Sequence, residues 1–487
     1  MGKRIVIVGG GATAVSAMAH IVRISGVESV TFVAPRSVGL GTAFGTTDPA
    51  LLCNTSVDVT SLVAEGESDL LAYLAARGHA VHADDFVPRY MVGQYCRERF
   101  NRYVREARRA GIRVTHLGDR AVAVDRLADW NYRVVLHSGA SVTGTAVLLC
   151  HGADVPILPA EVRQYSRHPR LIAAAHPSQR LRELPSQSRV LVIGTKLSAI
   201  DAALILGRDA QRHTVLTSPS GVLPSVRNRL RRMPSPGFEE DVWADLDPDD
   251  ERLGRILARQ LLAAVRSLQP GTPASRPRTT GEAAEILYEE IRLATASQVP
   301  WQDIVAELID VINEYASRWD ADARSAVLGR YKALMSRYIS AIPLHNASLL
   351  AGYLSDGRLR IAPRYLRSIG PHGSGWTVEW PDGSRESFDY MVCAAGYEAL
   401  PMRCPPDGLH IGHGSDGSAP EVLEDLRVRF APEDPAERIW ALGACAGTRY
   451  PIVNYLRAAA QHSAIVAAQL AEDSVEDLEL RVERTSL

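Results

Sequence analysis

Residues 3–22 constrain this chain more than any other stretch. Ile5-Val6-Ile7-Val8, a run of β-branched residues, passes directly into Gly9-Gly10-Gly11-Ala12-Thr13-Ala14 and then into an Ala-rich segment with helical spacing, Val15 to Val22. The pattern predicts a buried strand, a tight turn and a helix. In such a turn Gly9 permits the bend, Gly11 lets the backbone approach a pyrophosphate, and Ala14 allows the helix to pack closely on the strand. Phosphates would meet the free N–H groups of the first helical turn, that of Thr13 among them.

At 487 residues the chain is too long for one hydrophobic core, so two or three domains are expected. Its net charge of −2 gives no global attraction to nucleic acid or to an anionic membrane. Lysine occurs only at Lys3, Lys196 and Lys332, and arginine supplies the rest of the positive charge. The cysteines, Cys53, Cys96, Cys150, Cys393, Cys404 and Cys445, form no C-x-x-C pair, so neither a zinc site nor a disulfide framework is expected. The first strand begins at once, leaving no room for a signal peptide, and no apolar run approaches the roughly 18 residues of a membrane span. A cytoplasmic location, no metal, no nucleic acid and no membrane partner are expected.

Ser29-Val30-Thr31-Phe32-Val33 reads as the second strand. An acidic residue is expected at its end to hold ribose hydroxyls; Ala34 stands there, followed by Pro35 and Arg36. Arg36 reads as solvated, with a phosphate contact as the alternative. A second glycine-rich turn, Gly39-Leu40-Gly41-Thr42-Ala43-Phe44-Gly45, precedes the apolar run Leu51-Leu52-Cys53-Asn54. From Arg113 to Leu149, Val114, Val122, Val124, Tyr132, Val134 and Leu136 read as a β-meander, with a turn at Asp129-Trp130-Asn131. Ala146 to Cys150 is a buried strand running into His151-Gly152; the histidine reads as structural.

The opening pattern then recurs. Arg189 to Ile193 leads into Gly194-Thr195-Lys196-Leu197-Ser198-Ala199 and an apolar helix, which predicts a second dinucleotide-binding unit. Lys196 occupies the place of the second glycine, where a side chain obstructs close approach by a pyrophosphate. Residues 225–345 break the rhythm with amphipathic helices: Leu253, Ile256, Leu257, Leu261, Ala264, Val265 and Leu268 form one stripe, and Trp301, Ile304, Val305, Leu308, Ile312 and Tyr315 another. Pro270 to Thr280 reads as a linker, and Thr279-x-x-Glu282 as a capping box. The basic run Arg227 to Arg232 is expected to be a solvated loop or a patch that steers an acidic partner. Tyr390 to Cys393 runs into Ala394-Ala395-Gly396, the counterpart of the element ending at Gly152, and Ile439 to Leu442 runs into Gly443.

This order of pieces resembles the FAD/NAD(P)-binding flavoproteins with two dinucleotide-binding domains, related to the flavin-dependent N-hydroxylating monooxygenases. The motifs are Gly9 to Ala14, Gly41 to Phe44, Leu51 to Asn54, Pro88-Arg89, Cys150 to Gly152, Gly194 to Ala199, Ala395-Gly396 and Leu442-Gly443. The resemblance implies an α/β fold of two Rossmann-like, doubly wound dinucleotide-binding domains with a helical insertion. Residues 1–156 would form the first part of an FAD-binding domain, 186–395 an NAD(P)H-type domain containing the insert at about 225–345, 396–471 the return segment, and 472–487 a charged tail. Gly9, Gly11, Thr13, Ala14, Arg36, Gly41, Thr42, Asn54, Arg89, Gly152, Gly396 and Gly443 would line FAD; Gly194, Thr195, Lys196 and Ser198 would meet NADPH. Ala444 departs from the Asp usual near the ribityl chain and pyrophosphate.

The resemblance further implies that NADPH reduces FAD and that the reduced flavin activates dioxygen to oxygenate N, S or C of a small or carrier-bound substrate. The hard chemistry would be the cofactor's, so no catalytic acid, base or nucleophile is assigned. Lys196 predicts poor direct use of NADPH. That leaves as alternatives an FAD enzyme served by a separate reductase or acting as an oxidase, and a flavin-binding scaffold or partner subunit.

Overall fold

In the computed structural model, which describes residues 2–65, 68–233, 238–268, 280–406, 408–414 and 416–485, β1 (Lys3–Val8) is the centre of a five-stranded parallel sheet. β2 (Val27–Val33) and then β3 (Arg113–Leu117) lie on one side of it. β4 (Ala146–Leu149) and a return strand, Ile439–Ala441, lie on the other. Ile5 pairs with Val30 and with Ala146, and all three are buried. Strands covered on both faces need no polar alternation, which is why β1 reads as an unbroken apolar run. Each such Val or Ile contributes about 1.5–3 kcal/mol on burial. Val114 belongs to β3 and not to the expected meander, because an edge strand shows the same alternation. The antiparallel layer itself joins Ala121–Arg126, Tyr132–Leu136 and Ser141–Gly144 to Gly408–Ile411 and Met402–Arg403.

α1 (Ala12–Ile21) buries Ala14, Val15, Ala17, Met18 and Ile21, its small residues permitting close packing. α2 (Arg89–Arg109) crosses the same sheet and packs against α1. The second parallel sheet repeats the design. β5 (Leu171–Ile172), β6 (Arg189–Ile193), β7 (His213–Thr217), β8 (Leu359–Ile361) and β9 (Tyr390–Cys393) lie in the order β8-β7-β6-β9-β5. α3 (Leu197–Leu206) follows β6 and is buried along most of its length. The two crossovers between sheets run side by side, Ala153–Pro156 pairing antiparallel with Tyr397–Ala399.

The insert hangs from a two-stranded neck, Val226–Arg227 against Ile342–Pro343. It holds α4 (Leu253–Leu268), α5 (Ala283–Thr295), α6 (Val305–Ala316) and α7 (Ala321–Tyr338), and α8 (Leu344–Ser355) leads out of it. Both predicted stripes face inward, with Leu253, Ala264, Ile304, Val305 and Tyr315 buried. Glu282 is the N-cap of α5, while Thr279, its partner in the expected box, and Pro270 to Thr279 of the linker lie outside the described residues. α9 (Leu456–Thr485) packs on α1, and its backbone carries the helix through the charged C-terminal stretch. Among the described residues no helix is long and apolar enough to cross a membrane.

Candidate functional site

The first glycine turn is fixed from beneath. Gly9 has φ +123°, and a Cβ there would fall well inside contact with the Cys150 carbonyl oxygen at the end of β4. Above it the turn is bare. A Cβ on Gly11 would meet only the Gly41 Cα, at 3.9 Å, and one on Gly41 (φ +54°) would meet the Gly11 Cα at 3.1 Å. The two glycines therefore face each other across uncovered backbone at the start of α1. Gly11 is the N-cap and supplies no side chain, so no side chain caps the first N–H groups of α1. The turn is thus an open cradle of backbone, the geometry a close pyrophosphate contact requires, and any larger residue at Gly11 would fill it.

The other predicted FAD residues lie in differing surroundings. Thr13 sits on the first turn of α1 beside Gly443, whose N–H donates to Nδ1 of buried His462 at 3.1 Å. Burial pulls His462 down to about 4, which keeps the ring a neutral acceptor. Ala14 is fully buried between helix and sheet. Ala34 lies under Gly10, and Arg36 beyond it is exposed. Thr42 and Gly152 are exposed, and Gly396 has φ +104° beside the second crossover. His151 points its Nδ1 at Cys445 Sγ, 3.4 Å away; burial lowers the imidazole to about 4 and raises the thiol to about 12, leaving a neutral pair.

Asn54 and Arg89 are bound to other parts of the chain. Arg89 donates from Nη1 to Asp201 Oδ2 (2.8 Å) and from Nε to the Leu52 carbonyl (3.2 Å). His176 Nε2 lies 3.1 Å from the same Asp201 oxygen, and its backbone N–H donates to the Tyr397 hydroxyl. Asp48, fully buried, accepts from Arg208 Nη1 at 3.0 Å. Asp201 and Arg208 belong to α3 and its end, so these ion pairs lock the 48–54 segment of the first unit to the second. Asp201 is the one charge in an otherwise apolar helix, a signal legible in the sequence, whereas His176, Tyr397 and Asp48 carry no local signal.

The second glycine turn has the same floor and a different roof. Gly194 has φ +142°, and a Cβ there would collide with the Ala394 carbonyl oxygen at the end of β9, as at Gly9. Above it, Thr195 Oγ1 bonds Ser218 Oγ (2.8 Å) and the Val222 carbonyl (3.0 Å). Lys196, the N-cap of α3, sends its ammonium to the same carbonyl at 3.2 Å. The lysine stem thus bridges from the helix start to the loop after β7. Burial, and then the nearby charge of Arg337, lower the Lys196 pKa. Ser198 is half-buried on the first turn of α3.

The basic run is neither solvated nor a steering patch. It is a seam between the first unit and the insert: Arg229 pairs with Asp303 at 2.6 Å, Arg231 faces Asp84 and Asp303, and Ser56 Oγ donates to the Leu230 carbonyl. Beside it Val59, Leu230, Val305, Ala306 and Ile309 form an apolar cluster joined by Phe86, Trp301, Ile452 and Tyr455.

Residues 6–154 match a protein-family model described as FAD-NAD(P)-binding. No curated protein matches the chain by sequence. Among solved structures, the ornithine N-hydroxylase of Kutzneria sp. 744 is 14% identical, with 97% of this chain and 100% of that one covered and a TM-score of 0.60. The cadaverine monooxygenase of Erwinia amylovora is 13% identical over 97% and 95%, with a TM-score of 0.59. For L-lysine 6-monooxygenase from Pseudomonas syringae the values are 14%, 96% and 99%, and 0.57. The chain therefore carries a segment that matches an FAD-NAD(P)-binding model, within a fold shared with these ornithine, cadaverine and lysine hydroxylating enzymes.

Proposed function

We propose that this chain is an FAD-dependent monooxygenase-type oxidoreductase that oxygenates a nitrogen of a small molecule, with NADPH as reductant. The observation that carries the reading is the bare Gly11–Gly41 cradle at the start of α1, inside the segment that matches the FAD-NAD(P)-binding model. The relatives named above act on ornithine, cadaverine and L-lysine, and the structures of the first and second hold FAD.

FAD and NADPH, when bound, would supply the electrons and the activation of dioxygen. The chain's own residues bind and exclude water. Gly9, Gly11, Thr13, Ala14, Gly41, Thr42 and Gly443 would hold the FAD pyrophosphate and ribityl side, with Arg36 at the solvent edge. Asn54, Gly152 and Gly396 would flank the ring end, and Arg89 would position the 51–54 segment through Asp201 and Leu52. Gly194, Thr195, Lys196 and Ser198 would receive NADPH, whose phosphate must displace Val222 from the Lys196 ammonium. That tether favours, as a second reading, an FAD enzyme served by a separate reductase. We place the protein in the cytoplasm, where its six unpaired thiols stay reduced.

The test is purification followed by flavin identification and anaerobic mixing with NADPH. A protein that retains FAD and bleaches on mixing supports the proposal. A colourless protein that takes up no added FAD overturns it, and a yellow one that bleaches only with an added reductase leaves the second reading.

A further inference from the structure

A cavity of about 130 Å³ lies in the insert, lined by Phe238, by the short helix Glu240–Ala244 and by α6. Phe238, Trp243 and Tyr315 supply aromatic walls, Val311 an apolar one, and the exposed Glu240 and Glu314 stand at its rim. The Phe238 and Trp243 rings meet edge to face with centres 5.7 Å apart, and the Trp243 and Tyr315 rings lie 6.4 Å apart at 32°. The apolar cluster behind these walls, with Leu246, Leu253 and Val327, is separate from the one that joins the insert to the first unit. The cavity is thus distinct from both glycine turns.

Its chemistry goes beyond packing. Trp243 is 5% exposed, and its Nε1–H is buried without an acceptor among the described residues. A buried tryptophan N–H ordinarily finds an oxygen, and leaving it without one is costly, so an occupant of the cavity that carries an oxygen would satisfy it. The surroundings are strongly acidic: residues 238–251 hold eight carboxylates and no lysine or arginine. Burial raises the Tyr315 pKa, and the charges of Glu314, Glu240 and Asp241 raise it further against the pull of Arg318, so these carboxylates bear directly on the aromatic wall. The wall also holds a cation already. Arg318 sets its guanidinium carbon 4.6 Å from the centre of the Tyr315 ring while its Nη2 donates to Glu314 Oε1 at 2.8 Å, and Arg318 itself does not line the cavity.

We propose that this cavity binds a small methylated ammonium that also carries a neutral oxygen, a choline-like cation free in solution. Aromatic faces attract such a cation through their ring quadrupoles, and carboxylates at the rim add to the attraction. The walls offer carbon and no converging acceptors, so a primary ammonium, with three N–H donors to satisfy, fits less well. A metal ion fits no better, because among the described residues no three His, Cys, Asp or Glu side chains are grouped to hold one. The same carboxylates repel a carboxylate on the ligand, which makes the oxygen that meets Trp243 a hydroxyl or a carbonyl.

The test is isothermal titration of the full-length protein with choline, with dimethylbutanol, its neutral carbon isostere, and with glycine betaine. Choline should bind at least about tenfold more tightly than either, in keeping with a desolvated cation–π contact. Glu240→Gln on the exposed rim and Phe238→Leu on the half-buried wall should each weaken choline by about threefold or more while flavin content stays the same. Trp243→Phe keeps a ring and removes the N–H, so it should weaken choline more than tetramethylammonium, which has no oxygen to offer. No heat with choline, equal affinity for the neutral isostere, unchanged affinity in both Glu240→Gln and Phe238→Leu, or equal losses for the two cations in Trp243→Phe would each overturn the proposal. So would retention on phosphatidylcholine vesicles without a response to free choline, which would assign the site to a lipid headgroup. The titration needs neither flavin nor NADPH, so its failure and the failure of the monooxygenase reading are seen separately.

Discussion

The two glycine turns share a floor and differ in their roof. At Gly9 and at Gly194 a strand turns into a helix with positive φ, and each turn rests on the carbonyl that ends the neighbouring parallel strand, Cys150 in one case and Ala394 in the other. That floor belongs to the fold, since without it strand and helix could not pack. The roof is left free by the packing. Over the first turn Gly11 and Gly41 leave backbone uncovered, while over the second Thr195 and Lys196 are tied to the Val222 carbonyl. A chain can therefore keep the architecture of a dinucleotide site and alter its occupancy independently.

The largest effects should come from breaking a floor. A side chain at Gly9 must adopt φ +123° and displace a backbone carbonyl, each costing about 1–3 kcal/mol. Gly9→Ala should lose about 3 kcal/mol or more in chemical denaturation, and Gly9→Val should not accumulate as folded protein. A loss under about 1 kcal/mol would mean the floor is not structural. Gly11→Val touches only the roof. It should fold within about 1 kcal/mol of the wild type, as surface changes do, yet purify without flavin. Unchanged flavin content in that variant would remove the first cradle from the cofactor site.

The ties that fix the two turns relative to each other come next. Asp201 accepts from both Arg89 and His176 while 4% exposed. Removing one member of a buried pair costs about 3–5 kcal/mol; because Arg89 keeps the Leu52 carbonyl and is partly solvated, Asp201→Asn should cost about 2 kcal/mol. Chemical denaturation of the variant against the wild type would measure it, and no loss would mean the latch is incidental.

What could be read in advance follows from distance along the chain. Each turn, its strand and its helix lie within a few residues, and so did the anomaly of Lys196, because glycine spacing is a local code. The Arg208–Asp48 tie spans 160 positions and the Arg227–Asn54 contact 173, and nothing at either end announces the other. For the same reason the basic run looked like a solvent patch: its partners Asp58, Asp84 and Asp303 come from two other segments. Val114 was misplaced because alternation does not tell an edge strand of a parallel sheet from a meander. Asp201 differs, because a lone acid inside an apolar helix announces a buried partner from the sequence alone.

The smallest effect tests the second roof. NADPH must replace the bond from the Lys196 ammonium to Val222 at 3.2 Å, worth about 1 kcal/mol net, and must move a four-carbon stem aside. Against this, the Lys196 ammonium is a cation at the turn, near the Arg337 charge that Glu290 already pairs, and burial has weakened the lysine's hold on its proton; a phosphate would restore it. The carbonyl bond and the stem oppose binding, and the charge favours it. Lys196→Gly removes all three at an N-cap where glycine is well tolerated. If steric closure dominates, anaerobic flavin reduction at sub-saturating NADPH should speed up about fivefold, the equivalent of about 1 kcal/mol. Lys196→Met keeps the stem and removes the charge, and should then be no faster than the wild type. A Gly variant slower than wild type, with the Met variant slower still, would reverse the assignment and make Lys196 the phosphate partner of an ordinary NADPH site.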